Sequence, residues 1–234
     1  MVIYMFLPLH MHADDGYGAV ADAFHNSADQ LNDAEGSSSL FNRMLPVCYL
    51  YRHAIELYLK SACIILNRHF GSDPKSVPQC QPAGTSKPRP IDKVHSVQAL
   101  WDCLCDLLKA SAESLRAIDK CLVELPPATS GHIATIEKHD ARSDYFRYPM
   151  SRSDADDAAK SSMKPIGLDE LMEQSTNNPA SVFALVGVDD QKVPQAAWSQ
   201  QNQEVESLLA VLREVSGFLH GFHAATRALL TEHR

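Results

Sequence analysis

Residues 50–66 constrain the fold more than any other part of the chain, because on a helix they are apolar on nearly every side. Arg52, Glu56 and Lys60 stack at i, i+4 and i+8 and fill a wedge of roughly 100°. A surface helix shows water a broader polar face, so this pattern predicts the central helix of a bundle, with charges facing a crevice or a partner. Because burying a lone charge is expensive, we expect the segment 140–149 to supply partners.

The composition predicts one globular domain. The chain has 234 residues, of which 45% are hydrophobic and 21% charged, so it can bury a core of useful size. Its net charge of −8 argues against a dedicated basic surface for nucleic acid. A local site of arginine and histidine is still compatible with that charge, since local fields depend on geometry as well as on totals.

The six cysteines include no C-x-x-C pair, and Cys103 and Cys105 are predicted to point to opposite sides of one helix. Cys48, Cys63, Cys103 and Cys121 lie in apolar helical runs, which predicts buried free thiols rather than disulfides or metal ligands. Free thiols are typical of a reducing compartment, so we expect a cytoplasmic protein.

The boundaries are predicted from composition. The apolar residues 1–9 are too short to span a bilayer and lack the basic start and cleavage site of a signal peptide, so we expect no membrane contact. We expect residues 1–36 to form an N-terminal extension and a first helix, and residues 37–234 to form the main helical domain. Within that domain, prolines and glycines predict a loop at 71–92, and polar residues predict an irregular insert at 150–194.

Hydrophobic periodicity predicts an all-α fold, an up-and-down bundle of four to five main helices with long loops. The predicted helices cover residues 17–32, 40–69, 94–112, 112–125, 129–144 and 195–232. Pro46 is expected to kink the second helix or to mark its true first turn. Residues 181–188 suit either a short strand or the end of a helix. The last helix carries an apolar seam that packs on a neighbouring helix, inside the bundle or in a dimer.

Three motifs, in order along the chain, resemble those of HEPN domains (higher eukaryotes and prokaryotes nucleotide-binding). Residues 52–60 resemble the R-x-x-x-E-L-x-L-K helix of that family, and His95, followed by Leu100, is similar to its H-x-L helix start. Residues 140–149 match a D-x-x-S-x-x-F-R-Y-P signature of some prokaryotic members. The signature residues are Asp140, Ser143, Phe146, Arg147, Tyr148 and Pro149.

This resemblance implies a HEPN-like bundle that dimerises through its helices and interacts with a nucleotide or RNA. Many members of the family act in bacterial defence or toxin–antitoxin systems, so an antitoxin or another protein is also an expected partner. Some members are metal-independent endoribonucleases that use an R-x4–6-H motif. The chain lacks the glycine-rich loops of nucleotide-hydrolysing folds and has no carboxylates at metal-site spacing, so we expect neither a cofactor nor a metal.

Three segments fit the catalytic spacing, beginning at Arg89, Arg213 and Arg227. Arg213 and His220 lie on the last predicted helix, where they share a face but stand about 10 Å apart along the axis. The segment from Arg89 ends at His95, which is either a helix-entry residue or a catalytic one. The candidate catalytic residues are therefore Arg213, His220 and His95.

The candidate binding residues come from the first and third motifs. They are Arg52, His53, Glu56, Lys60, Asp140, Ser143, Arg147 and Tyr148. The charges of the first motif have three possible interpretations. They are a solvated stripe of ion pairs, an anion site formed by Arg52 and Lys60, or a structural ion pair between Glu56 and Arg147. His53 is either a general acid or base, or a helix histidine bonded to a neighbour.

Three functions remain open at this point. We favour a binding module that recognises a nucleotide or RNA without turnover, because the chain is acidic and its R-x4–6-H motif is not clear. The alternative is a metal-independent endoribonuclease that leaves 2′,3′-cyclic phosphate ends. A non-catalytic scaffold for protein interactions is a second alternative.

Overall fold

The computed structural model describes residues 6–33, 42–150, 154–177 and 183–231. Within these ranges the chain is mostly helical, with two small antiparallel sheets. The helices are α1 (Tyr17–Asp33), α2 (Met44–Phe70), α3 (Val97–Ala110), α4 (Ala112–Ile118), α5 (Thr129–Asp140), α6 (Asp154–Lys160), α7 (Leu168–Asn177) and α8 (Gln203–Leu230). The strands are β1 (Gln79–Cys80), β2 (Arg89–Pro90), β3 (Met163–Ile166), β4 (Ala184–Val188) and β5 (Pro194–Gln200).

Helix α2 is the centre of the bundle, as its apolar circumference predicts. Every residue from Ala54 to Leu66 is buried, and α1, α3 and α8 pack around it. Pro46 is the third residue of α2, in the first turn, where the missing N–H has no helical acceptor to lose. Of the two interpretations of Pro46, the start of the helix is therefore correct.

Helix α8 packs its apolar seam inside the bundle. Six of the seven predicted seam residues are buried in the single chain: Val205, Leu208, Leu212, Val215, Leu219 and Phe222. The seventh, Leu229, is 41% exposed, because the seam leaves the core near the end of the helix. The six buried residues join the main core with the buried faces of α2 and α3. Of the two predicted settings for this seam, the interior one is the one observed.

The expectation of an all-α fold is wrong for residues 163–200. There the chain forms a three-stranded antiparallel sheet in the order β3-β5-β4. The last helix begins at Gln203, not at residue 195, because Pro194–Gln200 alternates as a strand. Ala197 is buried against Ile166 and Leu171, whereas Trp198 stays 39% exposed.

The insert at 150–194 is also more regular than predicted. Its described residues form α6, β3, α7 and β4, and the choice between strand and helix near 181–188 resolves to a strand over Ala184–Val188. Lys164 pairs with Ser199 and Leu185 with Trp198 across the sheet. These cross-strand contacts lie outside the reach of local periodicity.

The remaining differences concern ends and loops. The predicted helix at 112–125 ends at Ile118 and gives way to a 3₁₀ turn over Lys120–Leu122, and α5 ends at Asp140 instead of 144. The proline-rich loop contains the short β1–β2 ladder. The predicted boundary at residues 36–37 lies outside the described residues. No helix in the described ranges combines the length and apolarity needed to cross a bilayer.

All six cysteines are free thiols. Cys48, Cys63 and Cys80 are buried, and Cys103 and Cys105 are partly buried. Cys121 is exposed, so its predicted burial is wrong. The reason is that it lies on the 3₁₀ turn after α4 and not within a packed helix.

Candidate functional site

The charged wedge of α2 and the start of the 140–149 segment meet in three dimensions through Arg52. This side chain has no exposed surface. One terminal nitrogen, Nη2, donates hydrogen bonds to the backbone carbonyls of His95, at 2.5 Å, and of Asp140, at 3.3 Å. The Nε atom lies 3.7 Å from Oδ2 of Asp140. Arg52 therefore ties α2 to the entry of α3 and to the end of α5.

Glu56 is the shared acceptor of this network. Its Oε2 accepts a hydrogen bond from Nη1 of Arg52 at 3.2 Å, and its Oε1 accepts one from Nζ of Lys60 at 2.8 Å. Nδ1 of His95 lies 3.0 Å from the same Oε1. Burial by itself raises the pKa of Glu56, but Arg52 and Lys60 outweigh it, and the net pKa falls below its ordinary value.

These contacts separate the three interpretations of the first motif. Arg52, Glu56 and Lys60 are each at most 3% exposed, so they are not a solvated stripe. Arg52 and Lys60 are closed to solvent and face the carboxylates of Glu56 and Asp140, which leaves an incoming anion little access to them. We therefore interpret this cluster, which we call the Arg52 brace (Arg52, Glu56, Lys60, His95 and Asp140), as structural.

Asp140 shapes the turn that follows α5. Its Oδ1 accepts hydrogen bonds from the backbone N–H groups of Asp144, at 2.8 Å, and Tyr145, at 2.9 Å. Burial raises the pKa of Asp140, and the charge of Arg52 opposes that rise. Ser143 is buried in the turn with a φ of 59°, a left-handed conformation that the turn requires. The predicted binding residues Asp140 and Ser143 thus lie in the interior and hold the turn.

Arg147 does not pair with Glu56, so the predicted architectural pair is wrong. Its guanidinium carbon lies 5.3 Å from the ring centre of Tyr49 and 6.0 Å from that of Tyr148. Arg52 occupies the position beside Glu56 because it stands one helical turn before it on α2. Within the described ranges, no carboxylate lies within ion-pair distance of Arg147, whose side chain is exposed.

The predicted binding residue His53 lies beneath Tyr49, on the side toward the interior. Its ring is nearly parallel to that of Tyr49, one helical turn earlier, with 5.8 Å between centroids and a 9° angle between planes. Phe24 of α1 meets His53 edge-on at 4.5 Å. Burial lowers the pKa of His53, and Glu56 opposes that shift. We call Tyr49, His53, Arg147 and Tyr148 the Arg147 platform; Tyr148, at its outer end, is 52% exposed.

His220 lies on a second surface, between α8 and α1. Its Nδ1 is 3.1 Å from Oδ1 of Asp22 and 2.8 Å from the hydroxyl of Tyr58, which also donates to Asp22 at 2.8 Å. The imidazole is 43% exposed, and within the described residues its Nε2 has no hydrogen-bond partner. A histidine held at one nitrogen by a carboxylate and open at the other is suited to proton transfer.

Asp22, Tyr58 and His25 complete this surface, although no sequence motif had pointed to them. His25 stacks on His220 with 4.8 Å between centroids and bonds through Nδ1 to Ser216 at 2.9 Å. Burial first, and the neighbouring charges of His220 and Arg213, lower the pKa of His25, while Asp29 raises it. One available signal was the spacing of Asp22, His25 and Asp29, which places them on one face of α1.

Arg213 and His220 both lie on the side of α8 that faces α1, but their side chains do not converge. Arg213 lies 3.8 Å from Asp33, at the end of α1, whereas His220 contacts Asp22, eleven residues earlier on that helix. The third catalytic candidate, His95, belongs to the Arg52 brace, and its imidazole is 61% exposed. Of the other candidate segments, Arg89 is exposed on β2, and His233 lies outside the described residues.

His223, one turn after His220 on α8, is buried beside Ser61 of α2. Its Nδ1 lies 3.1 Å from the hydroxyl of Ser61, which donates to Asp14 at 2.6 Å, and burial lowers its pKa. Gly18 is required here, because a Cβ on it would overlap the His223 ring. Across the part of the chain that the structure describes, no group of three or more His, Cys, Asp or Glu side chains is placed to hold a metal ion.

The chain matches no protein-family model, and no curated protein or solved structure is significantly similar to it. The resemblance to HEPN domains therefore depends on the three sequence motifs alone.

Proposed function

We propose that this chain is a HEPN-like helical protein that binds RNA or a nucleotide without turnover, and that the Arg147 platform is its contact surface. The observation that carries the proposal is the exposed guanidinium of Arg147, which lies against two tyrosine rings and has no carboxylate partner in the described ranges. The order of the three motifs and the mostly helical fold also support it.

The chemistry of the platform suits a phosphate next to an unstacked base. A guanidinium is always charged at neutral pH and forks onto phosphate oxygens. Tyrosine faces stack on bases, and each stacked base contributes roughly 1–3 kcal/mol. The net charge of −8 repels nucleic acid at long range. A nucleotide or a short single strand therefore fits better than a long duplex.

The Arg52 brace has a supporting role in this proposal. Arg52 holds the start of the 140–149 segment through Asp140. Lys160 of α6 holds its end, because its Nζ donates to the carbonyl of Tyr148 at 2.8 Å. With both ends fixed, Arg147 and Tyr148 meet a ligand in a preset geometry, which reduces the entropy lost on binding.

Fluorescence anisotropy with a short fluorescein-labelled oligouridine RNA in low salt and EDTA tests this proposal. We expect Arg147→Ala to weaken binding by about tenfold or more, and Tyr148→Ala by a similar factor. Arg116→Ala removes another exposed arginine, from α4, and is the matched control. No binding by the wild type at its highest soluble concentration, or equal binding by Arg147→Ala, would refute the proposal.

A metal-independent endoribonuclease is the second candidate, favoured by the Asp22–His220 contact. In that reaction Nε2 of His220 would take the proton of a ribose 2′-hydroxyl, and the 2′-oxygen would attack the phosphorus. The P–O5′ bond would break, and the departing 5′-oxygen would take up a proton from water. Asp22 would hold the imidazole in place, and Arg213 would stabilise the phosphate charge. We prefer the binding proposal for two reasons. Arg213 pairs with Asp33, and Arg213 stands about 10 Å from His220 along the axis of α8.

Incubation with total RNA in EDTA separates the two candidates. If the second is correct, the wild type yields fragments with 2′,3′-cyclic ends, and His220→Ala does not. His69→Ala removes an exposed histidine of α2 and serves as the control. Fragments that persist in His220→Ala would eliminate His220 as the base.

Dimerisation through the helices, an antitoxin partner and a role in bacterial defence follow from the resemblance and stay predictions. A protein that binds no RNA and cleaves none would match the scaffold alternative. Size-exclusion chromatography with light scattering measures the oligomeric state directly.

A further inference from the structure

Strand β4 lies at the edge of the three-stranded sheet, and its outer side is open. The strand order β3-β5-β4 gives it one neighbour, β5. The N–H of Gln200 donates to the carbonyl of Phe183, so in this antiparallel ladder Phe183 and every second residue after it exchange hydrogen bonds with β5. The backbone groups of Ala184 and Val186 therefore point away from the sheet, and within the described ranges no other backbone hydrogen bond reaches them.

The opposite edge of the sheet is protected, whereas that of β4 is not. On β3 the same alternation directs the backbone of Pro165 outward, and proline has no N–H to offer a further strand. Residues 183–188 contain neither a proline nor a charged side chain, which are two common means of blocking an edge. Phe183, Leu185 and Val186 are 50%, 49% and 45% exposed. The chain thus presents an apolar strand with open backbone groups, to which a further strand can add.

The side chains of residues 183–187 are complementary in size to those of the same strand running in the opposite direction. Phe183, Leu185 and Gly187 alternate onto one face of the sheet, the face of Trp198. A Cβ on Gly187 would lie 3.5 Å from the Trp198 ring, which is itself 39% exposed. In an antiparallel copy centred on Leu185, Phe183 lies opposite Gly187, so the largest side chain of the strand covers the residue that has none.

The same arrangement satisfies the open backbone groups. With a two-fold axis at Leu185, Ala184 of each copy lies opposite Val186 of the other, and these outward-facing residues exchange their N–H···O bonds. The pairing ends at Gly187, before the register shift that interrupts β4 between Gly187 and Val188. We propose that residues 183–187 pair with the same residues of a second copy of this chain, which joins the two sheets into one continuous sheet.

The exposed area predicts a weak dimer that depends on concentration. Half of an aromatic side chain amounts to about 100 Å², so the exposed parts of Phe183, Leu185 and Trp198 together come to on the order of 300 Å² per copy. A standard stable interface buries about 800 Å² per partner. We therefore expect a Kd in the micromolar range, with a monomer in dilute solution and a dimer at high concentration.

Sedimentation velocity of the full chain over about 5–500 μM tests for this dimer. Leu185→Lys places two like charges directly opposite each other at the axis, and we expect it to raise the Kd about tenfold or more. Val193→Lys adds the same charge at a position that is 48% exposed, in the turn between β4 and β5, and should keep the Kd of the wild type. A wild type that stays monomeric throughout would overturn the proposal. So would a Leu185→Lys variant that dimerises as well as the wild type, because its dimer would then form through another surface.

Disulfide cross-linking tests the register. Directly opposed residues of a pair without mutual hydrogen bonds have Cα atoms about 4.5 Å apart, which is within disulfide range. In a Cys121→Ser background, which removes the exposed thiol, we expect diamide to cross-link Leu185→Cys into a dimer on a non-reducing gel. Val193→Cys in the same background is the matched control and should cross-link far less. Val186→Cys should also stay uncross-linked, because Val186 faces Ala184 of the other copy and not itself.

Two gel results would overturn the pairing at Leu185. One is equal cross-linking of Leu185→Cys and Val193→Cys. The other is a cross-link in Val186→Cys with none in Leu185→Cys, which would move the axis by one residue. Circular dichroism of each variant beforehand establishes that its fold is intact, so that a lost dimer reports the edge of β4 and not unfolding.

Discussion

Arg52 and Asp140 are 88 residues apart in the chain and in contact in the fold, with Nη2 of Arg52 donating to the carbonyl of Asp140 at 3.3 Å. The two charged side chains lie in the interior, and the Nε to Oδ2 distance is 3.7 Å. The contact closes the end of α5 onto α2. It therefore also positions the exposed part of the 140–149 segment.

Arg52→Ala should reduce the free energy of unfolding by about 3–5 kcal/mol, because it leaves Glu56 and Asp140 buried with fewer partners. Urea denaturation followed by circular dichroism measures this. Arg68→Ala is the control, since Arg68 pairs with Asp15 at 2.8 Å on the surface, with both side chains at least 40% exposed. Its loss should cost at most about 1 kcal/mol. Equal losses in the two variants would contradict a buried brace.

Gly18→Ala should destabilise the protein, because the new Cβ would overlap the His223 ring and force apart α1 and α8. We expect a loss of about 1–3 kcal/mol. Gly217→Ala is the matched substitution on a helix, with no atom near the new Cβ, and it should stabilise the protein by about 0.5–1 kcal/mol. Thermal unfolding of both variants checks the opposite signs. A stabilised Gly18→Ala would mean that the contact with His223 is absent in solution.

Acid should weaken the fold in two stages. Burial lowers the pKa of His53 and His223, so their contribution to stability is present above the unfolded-state pKa of about 6.5 and is lost as the pH falls through the folded-state pKa. The pKa of Glu56 is also lowered in the fold, so its contribution is present above its unfolded-state pKa and is lost only at lower pH. Urea midpoints measured at about eight pH values between about 7.5 and 2.5 should trace both stages.

His223→Gln tests the first stage, because glutamine does not titrate. Its stability should fall less steeply than that of the wild type between about pH 6.5 and 5. An unchanged slope in this variant would show that His223 does not contribute. His69→Gln, at an exposed position, is the control and should keep the slope of the wild type.

Ala197→Glu should disrupt the three-stranded sheet, because Ala197 is buried between Ile166 and Leu171. A buried carboxylate without partners costs at least about 1–3 kcal/mol. Ala196→Glu makes the same change at the neighbouring residue on the opposite, partly exposed face and should cost less than about 0.5 kcal/mol. Amide exchange over β3 and β5 reads out the sheet directly. If both substitutions had equal effects, residues 194–200 would not be a strand.

The sequence predicted those parts of the fold that local pattern determines. The central position of α2 follows from an apolar circumference that no surface helix can have, and α8 is recognisable from its seam, apart from its start. β5 escaped prediction because Ala196, Ala197 and Trp198 suit a helix as well as a strand. Their strand conformation depends on pairing with β3, more than 30 residues earlier.

The site was only partly predictable for the same reason. The sequence identified Arg52 and the 140–149 segment as neighbours, and the fold brings them together. The sequence could not determine the interaction partner of Arg147, because a guanidinium binds a carboxylate and an aromatic ring equally well. The contact between Asp22 and His220 joins residues 198 positions apart, and no local spacing encodes such a distance.

The nearly complete burial of α2 has a consequence for synthesis of the chain. The ribosome makes α2 early, but α8, which covers one of its sides, comes more than 130 residues later. At typical elongation rates of about 5–20 residues per second, the apolar face of α2 that α8 buries stays exposed for on the order of ten seconds. A nascent chain stalled before residue 203 should therefore be a strong client for holdase chaperones, and the completed chain a poor one.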